Sequence, residues 1–257
     1  MVVGLNMLKD NKADAFVSAG STGAFLSGAI FIVKRIEGLD RPAIAPIFKG
    51  DKGPSMVIDI GANVDCKPIH LVNFAKMGKV YFESILNVKR PSIGLINNGV
   101  EEGKGNSLTK ETYTILNNLK GENFNFIGNV EPRDVIKGEV NVLVCDGFVG
   151  NAILKSTEGV ASSIFKSLKE EINASLKNKL GGLLLKSSLQ KFKKRFNADE
   201  YGGALILGVN GICIKAHGNS NAEAIKNAIK LAHISVERKI LEKLKSEIKT
   251  IDSFKIM

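Results

Sequence analysis

An ammonium group and several carboxamides lie in glycine-rich loops of this 257-residue sequence, and they are its best candidates for chemistry. Lys104 and Asn106 share one such loop, and Asn151 follows Gly150 where a long helix is predicted to begin. Glycine allows backbone N–H groups to approach a ligand closely, and the start of a helix adds partial positive charge. Together, these loops predict a site for an anion such as phosphate.

Other polar loop residues can complete that site. Ser21 and Thr22 open a predicted helix, and His217 lies in a loop of glycine, serine and asparagine. None of the loops matches the phosphate loop GxxxxGK[ST] or the fingerprint GxGxxG, so a tight strand–helix turn is the alternative for each loop taken singly. The candidate substrate-binding residues are Gly20, Ser21, Thr22, Gly23, Asn63, Asn106, Asp146, Gly147 and His217.

The sequence shows no pattern typical of covalent or metal catalysis. It contains no GxSxG motif, and none of its three histidines has an evident serine or cysteine partner. Asp59, Asp65 and Asp146 do not follow the spacing of a metal motif, so we expect no metal and no cofactor. The three cysteines are widely spaced and lack a CxxC pair, which is typical of buried thiols in a reducing cytoplasm.

Short runs rich in valine and isoleucine alternate with helical patterns along the chain. Because most of these runs lack polar alternation, they are typical of a parallel sheet covered on both faces. The pattern predicts one layered α/β domain over residues 1–257, with a largely parallel sheet. The predicted strands are Asp14–Val17, Ala43–Phe48, Met56–Ile60, Ser92–Ile96, Phe124–Ile127, Val140–Val144 and Ile212–Ala216. The predicted helices are Thr22–Ile36, Ile69–Leu86, Leu108–Leu119, Pro132–Lys137, Asn151–Phe196 (broken) and Asn221–Ile248, the last with a capping box at Ser220 and Glu223.

The glycines indicate where a ligand would bind. Eleven of the 26 glycines fall in six polar segments, and five of these segments directly follow a predicted strand. Loops at the carboxyl ends of strands line the ligand crevice of an open α/β sheet. We therefore expect the polar loop residues to gather at one rim of the sheet.

The positive charge is concentrated in one segment. Residues 174–198 carry seven basic side chains and no acidic one, against a net charge of +10. Apolar residues recur at helical spacing on both sides of Gly181-Gly182, which predicts a protruding pair of amphipathic helices over about residues 163–197, broken at these glycines. A basic amphipathic element with exposed leucines is typical of contact with an anionic membrane surface. The alternative is a dimer interface or core stripe with solvated lysines. The leucines near the predicted tip are Leu183, Leu184 and Leu185.

Composition argues against several other classes of protein. The longest nearly apolar run, Ala24–Val33, has ten residues, whereas a membrane-spanning helix needs about 20. The first residues do not follow the pattern of a secretory signal. We expect no nucleic-acid partner, because the sequence has no tryptophan, three tyrosines and no reader module.

Nine motifs follow one another along the chain, namely Ala13–Ala24, Asp40–Ala43, Asp59–Asp65, Lys67-Pro68, Glu101–Asn106, Asn125–Glu131, Asp146–Asn151, Tyr201–Ala204 and Lys215–Gly218. As a set and in this order, they resemble the bacterial phosphate acyltransferases of phospholipid synthesis, the PlsX family. The resemblance runs from near Met1 to about Ile240. Members usually begin with a further strand and a glycine-rich loop, and this sequence starts after that position.

The resemblance implies a three-layer α/β/α fold related to phosphotransacetylases and isopropylmalate dehydrogenases. It implies transfer of a long acyl chain from acyl carrier protein to inorganic phosphate, and a cytoplasmic homodimer bound peripherally to the inner membrane face. Phosphate is itself the nucleophile in that reaction, which agrees with the missing catalytic triad. Lys104 would then pair with phosphate or with the developing oxyanion, and Asn151 would donate a hydrogen bond to phosphate or to the thioester oxygen.

Two alternative functions stay open at this stage. The first is a phosphate acyltransferase of the same fold that takes short acyl groups from coenzyme A. The second is a module without catalysis that binds a membrane surface or a carrier protein. The basic, leucine-rich segment favours the long-chain enzyme, and a basic face also suits docking of an acidic carrier protein.

Overall fold

A computed structural model describes residues 1–195 and 203–249, with side chains for 1–189 and 203–249. Tyr201 and Gly202 of the predicted loops, and the last two residues of the predicted helical pair, lie outside this range. Nine strands are described, namely β1 Ala15–Ser18, β2 Ala43–Ala45, β3 Ile47–Lys49, β4 Pro54–Ile58, β5 Ser92–Ile96, β6 Asn125–Val130, β7 Val142–Val144, β8 Ala204–Leu207 and β9 Ile212–Lys215.

Eight α-helices occur within the same residues, namely α1 Val2–Lys9, α2 Thr22–Gly28, α3 Pro68–Ile85, α4 Ser107–Asn118, α5 Gly147–Asn173, α6 Leu176–Arg195, α7 Ala222–Glu237 and α8 Ile240–Lys249. A π-helical turn, Ala29–Val33, continues α2, and a 3-10 helix spans Pro132–Ile136. None of the described helices is long and apolar enough to cross a membrane.

The strands form two sheets that meet at Pro46. Their orders are β1-β9-β8-β2 and β3-β4-β7-β5-β6. Pro46, which has no N–H to donate, separates β2 from β3, so the predicted strand Ala43–Phe48 is interrupted rather than continuous. The Ile60 N–H donates to the Ile44 carbonyl at 3.2 Å, which joins the end of β4 to β2 across the boundary.

Strand direction divides the molecule into two halves. The pairs β4–β7, β7–β5 and β5–β6 are parallel, as the apolar runs predict. In the other sheet β1 and β9 are parallel, whereas β8 is antiparallel to both β9 and β2. Because β3 continues β2 and is antiparallel to β4, strands β1 and β9 run opposite to β4, β7 and β5. Their carboxyl ends therefore lie at opposite edges.

Helices cover both faces of the sheets, which gives the expected three-layer α/β/α fold. Met56 and Ile58 of β4 join the largest apolar cluster with residues of α3, α4, α7 and α8. Val57, between them, points to the other face and packs with Val149 and Ile153 of α5. On the same side of the β1-β9-β8-β2 sheet, α1, α2 and the π-helical turn pack against β2, β8 and β9.

The prediction of one helix over Asn221–Ile248 is wrong. The described chain has two helices there, separated near Lys239, whose φ is +53°. The predicted cap is also displaced by one residue, because the Asn221 side chain, not Ser220, accepts the Ala224 N–H at 2.9 Å. Strand β8 has no counterpart among the predicted strands.

Helices α5 and α6 form a hairpin, and its break differs from the prediction. The chain leaves the helix at residues 174–175, and both Gly181 and Gly182 lie within α6. A Cβ on Gly182 would come within 2.5 Å of the Ile172 Cγ2 atom. Gly182 therefore allows α6 to pack closely on α5, and it does not end a helix. Leu183, Leu184 and Leu185 accordingly lie along α6 rather than at the tip.

Candidate active site

One edge of the sheet carries the loops that follow β4, β7 and β5, and we call it the Asp59 edge (residues 59–63, 145–151 and 97–106). Val144 of β7 is the register partner of both Ile58 in β4 and Leu95 in β5. Because adjacent strands are about 4.8 Å apart, the three loops emerge level and side by side. This alignment brings Lys104 and Asn151 to the same edge, as the sequence predicts.

A buried carboxylate holds the first of these loops. Asp59 is fully buried, and its Oδ1 atom accepts the Ile44 N–H at 3.0 Å. Its Oδ2 atom accepts the Asn63 backbone N–H at 2.7 Å and the Asn63 Nδ2–H at 3.1 Å. Burial raises the pKa of the Asp59 carboxyl, and these N–H donors oppose that shift without cancelling it. In the sequence, Asp59 fits no metal motif and received no other predicted role, although the Asp59–Asp65 motif marked its loop.

The start of α5 packs directly on this loop. The Gly147 N–H donates to the Asn63 carbonyl at 2.7 Å. A Cβ on Gly147 would come within 2.6 Å of that oxygen, and one on Gly150 within 1.9 Å of the Asp59 carbonyl oxygen. The two glycines are therefore required by close backbone approach.

The side chains of three predicted binding residues form hydrogen bonds within the protein. The Asp146 Oδ1 atom accepts the Val149 N–H at 2.8 Å and so caps α5. Asn106 likewise caps α4, by accepting the Thr109 N–H at 3.0 Å. Asn63 donates both to Asp59 and, at 2.7 Å, to the Pro42 carbonyl. These side chains shape the loops, and their contact with a substrate stays a prediction.

Lys104 and Asn151 differ from those residues because their polar groups are uncommitted. Asn151 is exposed beside Gly61, where an added Cβ would lie 3.6 Å from the Asn151 Cβ atom. The exposed side chain of Lys104 runs past Gly99, where an added Cβ would lie 3.1 Å from the Lys104 Cγ atom. Over residues 1–189 and 203–249, whose side chains are described, neither side chain has a hydrogen bond or ion pair with another residue. Both groups are therefore available to a ligand.

The remaining predicted residues lie at the other edge. The Ala216 N–H donates to the Ser18 carbonyl at 2.9 Å, so the loop carrying His217 lies beside the one carrying Gly20, Ser21, Thr22 and Gly23. The His217 Nδ1 atom accepts the Asn219 N–H at 3.2 Å. Because β1 and β9 run opposite to β4, the structure does not gather these residues at the Asp59 edge.

Exposed apolar side chains accompany the polar loops of the Asp59 edge. Val64 follows the β4 loop, Phe148 lies in the first turn of α5, and Val100 precedes Lys104 in the β5 loop. Each is largely exposed, although it lies among glycine and polar residues. The edge can therefore contact a ligand that has both an anionic and an apolar part.

The two thiols near this edge are poorly suited to nucleophilic attack. Burial raises the pKa of the Cys66 thiol to about 12, and the charges of Asp146 and Asp59 act in the same direction. Burial also raises the pKa of the Cys145 thiol well above its usual range. A thiolate is the reactive form of cysteine, so these residues favour a mechanism in which the substrate brings its own nucleophile.

Comparison with known proteins agrees with this arrangement. The family model described as fatty acid synthesis protein matches residues 1–243. The phosphate acyltransferase of Clostridium novyi (strain NT) is 60% identical over 244 residues, which cover 95% of this chain and 73% of that protein. The phosphate acyltransferase of Clostridium tetani (strain Massachusetts / E88) is 56% identical over 250 residues, which cover 97% of this chain and 74% of that protein.

Solved structures share the fold at low sequence identity. EutD phosphotransacetylase from Staphylococcus aureus has a TM-score of 0.58 at 14% identity and covers 91% of this chain and 67% of its own. A phosphotransacetylase from Streptococcus pyogenes has a TM-score of 0.58 at 19% identity, and the match covers 92% of this chain and 67% of that protein. These two support the fold alone, whereas the family match and the clostridial relatives show that the chain belongs to the fatty acid synthesis protein family, that of the phosphate acyltransferases.

Proposed function

We propose that this protein transfers a long acyl chain from acyl carrier protein to inorganic phosphate, as a step of phospholipid synthesis. A phosphate oxygen attacks the thioester carbonyl carbon, so a C–O bond forms and the C–S bond breaks. The products are acyl phosphate and the carrier thiolate, which takes up a proton. Family membership supports phosphate as acceptor, and the basic surface supports an acidic carrier protein as the donor.

One observation carries the proposal at the level of mechanism. An uncommitted ammonium, Lys104, and an uncommitted carboxamide, Asn151, follow adjacent parallel strands at the same edge. Lys104 pairs with phosphate or with the oxyanion that develops on the thioester carbonyl. Asn151, the fifth residue of α5, donates a hydrogen bond to the same groups next to the first turn, where the helix adds partial positive charge.

The surroundings of these groups suit the two parts of the donor. Val64, Val100 and Phe148 contact the acyl chain near the thioester, while the glycine-rich backbone contacts the phosphate. The raised pKa values of Cys66 and Cys145 support direct attack by phosphate, without an acyl-enzyme intermediate.

The test is phosphate-dependent release of free carrier protein from its long-chain acyl thioester. Lys104→Ala should lower turnover about 10²-fold, because one donor to the transition state is lost. Lys110→Ala is the matched control, since this exposed lysine lies six residues further on, in α4. Turnover of Lys104→Ala close to that of the wild type would remove the lysine from the mechanism.

A second donor is favoured by the fold. Phosphotransacetylases share the architecture of this chain, so acyl-coenzyme A is the competing donor. The same assay with coenzyme A thioesters of short and long chains decides between them. Faster turnover with short-chain coenzyme A thioesters than with acyl carrier protein would favour this alternative.

We further propose that the hairpin binds the anionic inner face of the cytoplasmic membrane. At about 3.6 residues per turn, Leu176, Leu180, Leu183 and Leu184 share the side of α6 that points away from Gly182 and α5. Leu176 is 86% exposed and Leu184 is 79% exposed. The exposed basic residues beside them, Lys177, Lys179 and Lys186, can contact lipid phosphates, each contributing about 1 kcal/mol near such a surface.

A homodimer is proposed from the other apolar stripe of the hairpin. Val160, Ile164 and Leu168 recur every four residues on α5 and are exposed in the single chain. A stripe of this spacing suits packing against a helix of a second copy. Ile164→Glu should shift the protein to a monomer in sedimentation equilibrium, and an unchanged mass would assign the stripe to another partner.

A further inference from the structure

We infer that two buried asparagines, Asn97 and Asn129, are positioning residues for Lys104. The inference rests on the role proposed above for that lysine. Asn97 follows the last residue of β5, and Asn129 lies near the end of the neighbouring strand β6, as the register partner of Leu95. Asn97 is 7% exposed and Asn129 is 6% exposed.

The two carboxamides hold opposite ends of a short turn. The Asn129 Nδ2–H donates to the Glu101 carbonyl at 2.8 Å, and the Asn97 Nδ2–H donates to the Lys104 carbonyl at 3.1 Å. Within the turn, the Lys104 N–H donates to the Glu101 carbonyl at 3.1 Å. The turn from Glu101 to Lys104 is therefore tied to two strand ends, and the Lys104 Cα atom is fixed relative to the sheet.

The side chain of Lys104 gains direction from the same arrangement. A lysine stem carries about 2 kcal/mol of rotamer entropy, so an exposed ammonium is not positioned by itself. Here the stem runs over Gly99, where an added Cβ would lie 3.1 Å from the Lys104 Cγ atom and 3.3 Å from its Cε atom. The Glu101 Oε2 atom would lie 2.8 Å from the same Cβ, so glycine at this position leaves room for both side chains, and the clamped turn fixes the origin of the Lys104 stem.

The choice of a neutral amide also has a physical reason. The Asn129 Oδ1 atom is buried and has no hydrogen-bond partner among the described residues. A carboxylate at this position would lose the donor to the Glu101 carbonyl and would leave a buried negative charge near the site proposed for phosphate. Asparagine holds the loop without repelling an anion.

The decisive experiment is a double-mutant cycle between Asn129→Ala and Lys104→Ala, measured as turnover with acyl carrier protein thioester and phosphate. Asn129→Ala removes the hydrogen bond to the Glu101 carbonyl without adding a charge, and alone it should lower kcat at least about tenfold, since a displacement of about 1 Å can cost 10²-fold. In the Lys104→Ala background it should lower kcat less than about twofold, because its effect passes through the lysine. Equal effects in both backgrounds would overturn the inference.

Asn73→Ala is the matched control. Asn73 is also 6% exposed and also has a buried Oδ1 atom without a partner in the described chain, but it lies on α3. It should lower the melting temperature while leaving the kcat of the folded enzyme unchanged. If Asn129→Ala does not fold, Asn97→Ala takes its place in the cycle, because Asn97 holds the other end of the same turn through the Lys104 carbonyl.

Binding of inorganic phosphate, measured by calorimetry, separates this inference from the proposed function. Lys104→Ala and Asn129→Ala should weaken phosphate binding by similar factors, and Asn73→Ala should not change it. A wild-type protein without turnover on either thioester would overturn the proposed function, and the phosphate titration would then decide the inference alone. Unchanged phosphate affinity in Asn129→Ala together with a reduced affinity in Lys104→Ala would overturn the inference.

Discussion

Helix α5 has two regions with opposite surroundings. Its first turn packs so closely on the Asp59 loop that Gly147 and Gly150 have no room for a side chain. We call this first turn (Gly147–Gly150) the root of α5. Beyond the root, the helix continues into the hairpin, where Val160, Ile164 and Leu168 are exposed. A single helix thus joins the tightest backbone contact of the proposed site to a largely exposed apolar surface.

The difference shows what each region contributes. At the root, atoms must keep their positions to a few tenths of an ångström, because backbone carbonyls and a buried carboxylate lie in contact with the helix. In the hairpin, side chains pack little against the same chain, so substitutions there change binding to partners more than folding. The root should therefore be intolerant of substitution, and the hairpin tolerant of it.

The largest expected effect is that of Gly150→Ala at the root. The new methyl group would lie 1.9 Å from the Asp59 carbonyl oxygen, and neither backbone segment can move freely. We expect a loss of at least about 3 kcal/mol in the free energy of unfolding, measured by urea denaturation. Gly159→Ala is the control in the same helix, since no atom lies within 4 Å of its added Cβ. It should stabilise the protein by about 0.5–1 kcal/mol.

A smaller effect at the root concerns pH. The pKa of Asp59 is raised on folding from its ordinary value of 3.8, because burial disfavours the charged form. Its contribution to stability is therefore fully present below the ordinary value and is lost as pH rises through the raised value. A tenfold change in the acid dissociation constant of the carboxyl corresponds to about 1.4 kcal/mol of unfolding free energy. The unfolding free energy of wild type minus that of Asp59→Asn should fall as pH rises above 3.8, and a difference that rises with pH would contradict the burial argument.

These two predictions involve residues that the sequence identified only in part. The glycine-rich loops and the parallel strands were predictable, because apolar runs and glycine clusters are local patterns. The separation of His217 and Ser21 from Lys104 was not, since strand direction depends on which strands pair across Pro46. The role of Asp59 also depended on its partners Ile44 and Asn63, and on the Pro42 carbonyl that accepts from Asn63; these groups come together only in the folded chain.

A pair of adjacent glycines tests the contact that holds the hairpin together. In Gly182→Ala the new methyl group meets the Ile172 Cγ2 atom at 2.5 Å, whereas in Gly181→Ala it meets nothing within 4 Å. Gly181→Ala should raise the free energy of opening of the hairpin amides, measured by hydrogen exchange, by up to about 1 kcal/mol, as expected from helix propensity. Gly182→Ala should not raise this free energy, because Ile172 must move to make room for the methyl group. Equal protection in the two variants would show that α6 does not pack on α5 at this point.

The smallest effect on stability, and the clearest on binding, is expected for the leucines of α6. Replacing Leu183, Leu184 and Leu185 together by serine removes apolar surface that is already exposed, so the free energy of unfolding should change by about 0.5 kcal/mol or less per residue. Turnover of soluble thioester should not change, because these leucines lie on α6 in the hairpin, whereas Asn151 lies near the start of α5. Co-sedimentation with vesicles that contain phosphatidylglycerol should be lost, since burial of each leucine contributes about 1.5–3 kcal/mol. Binding that persists in this variant would assign the surface to a partner other than lipid, and a loss of turnover would show that the hairpin and its root are not independent.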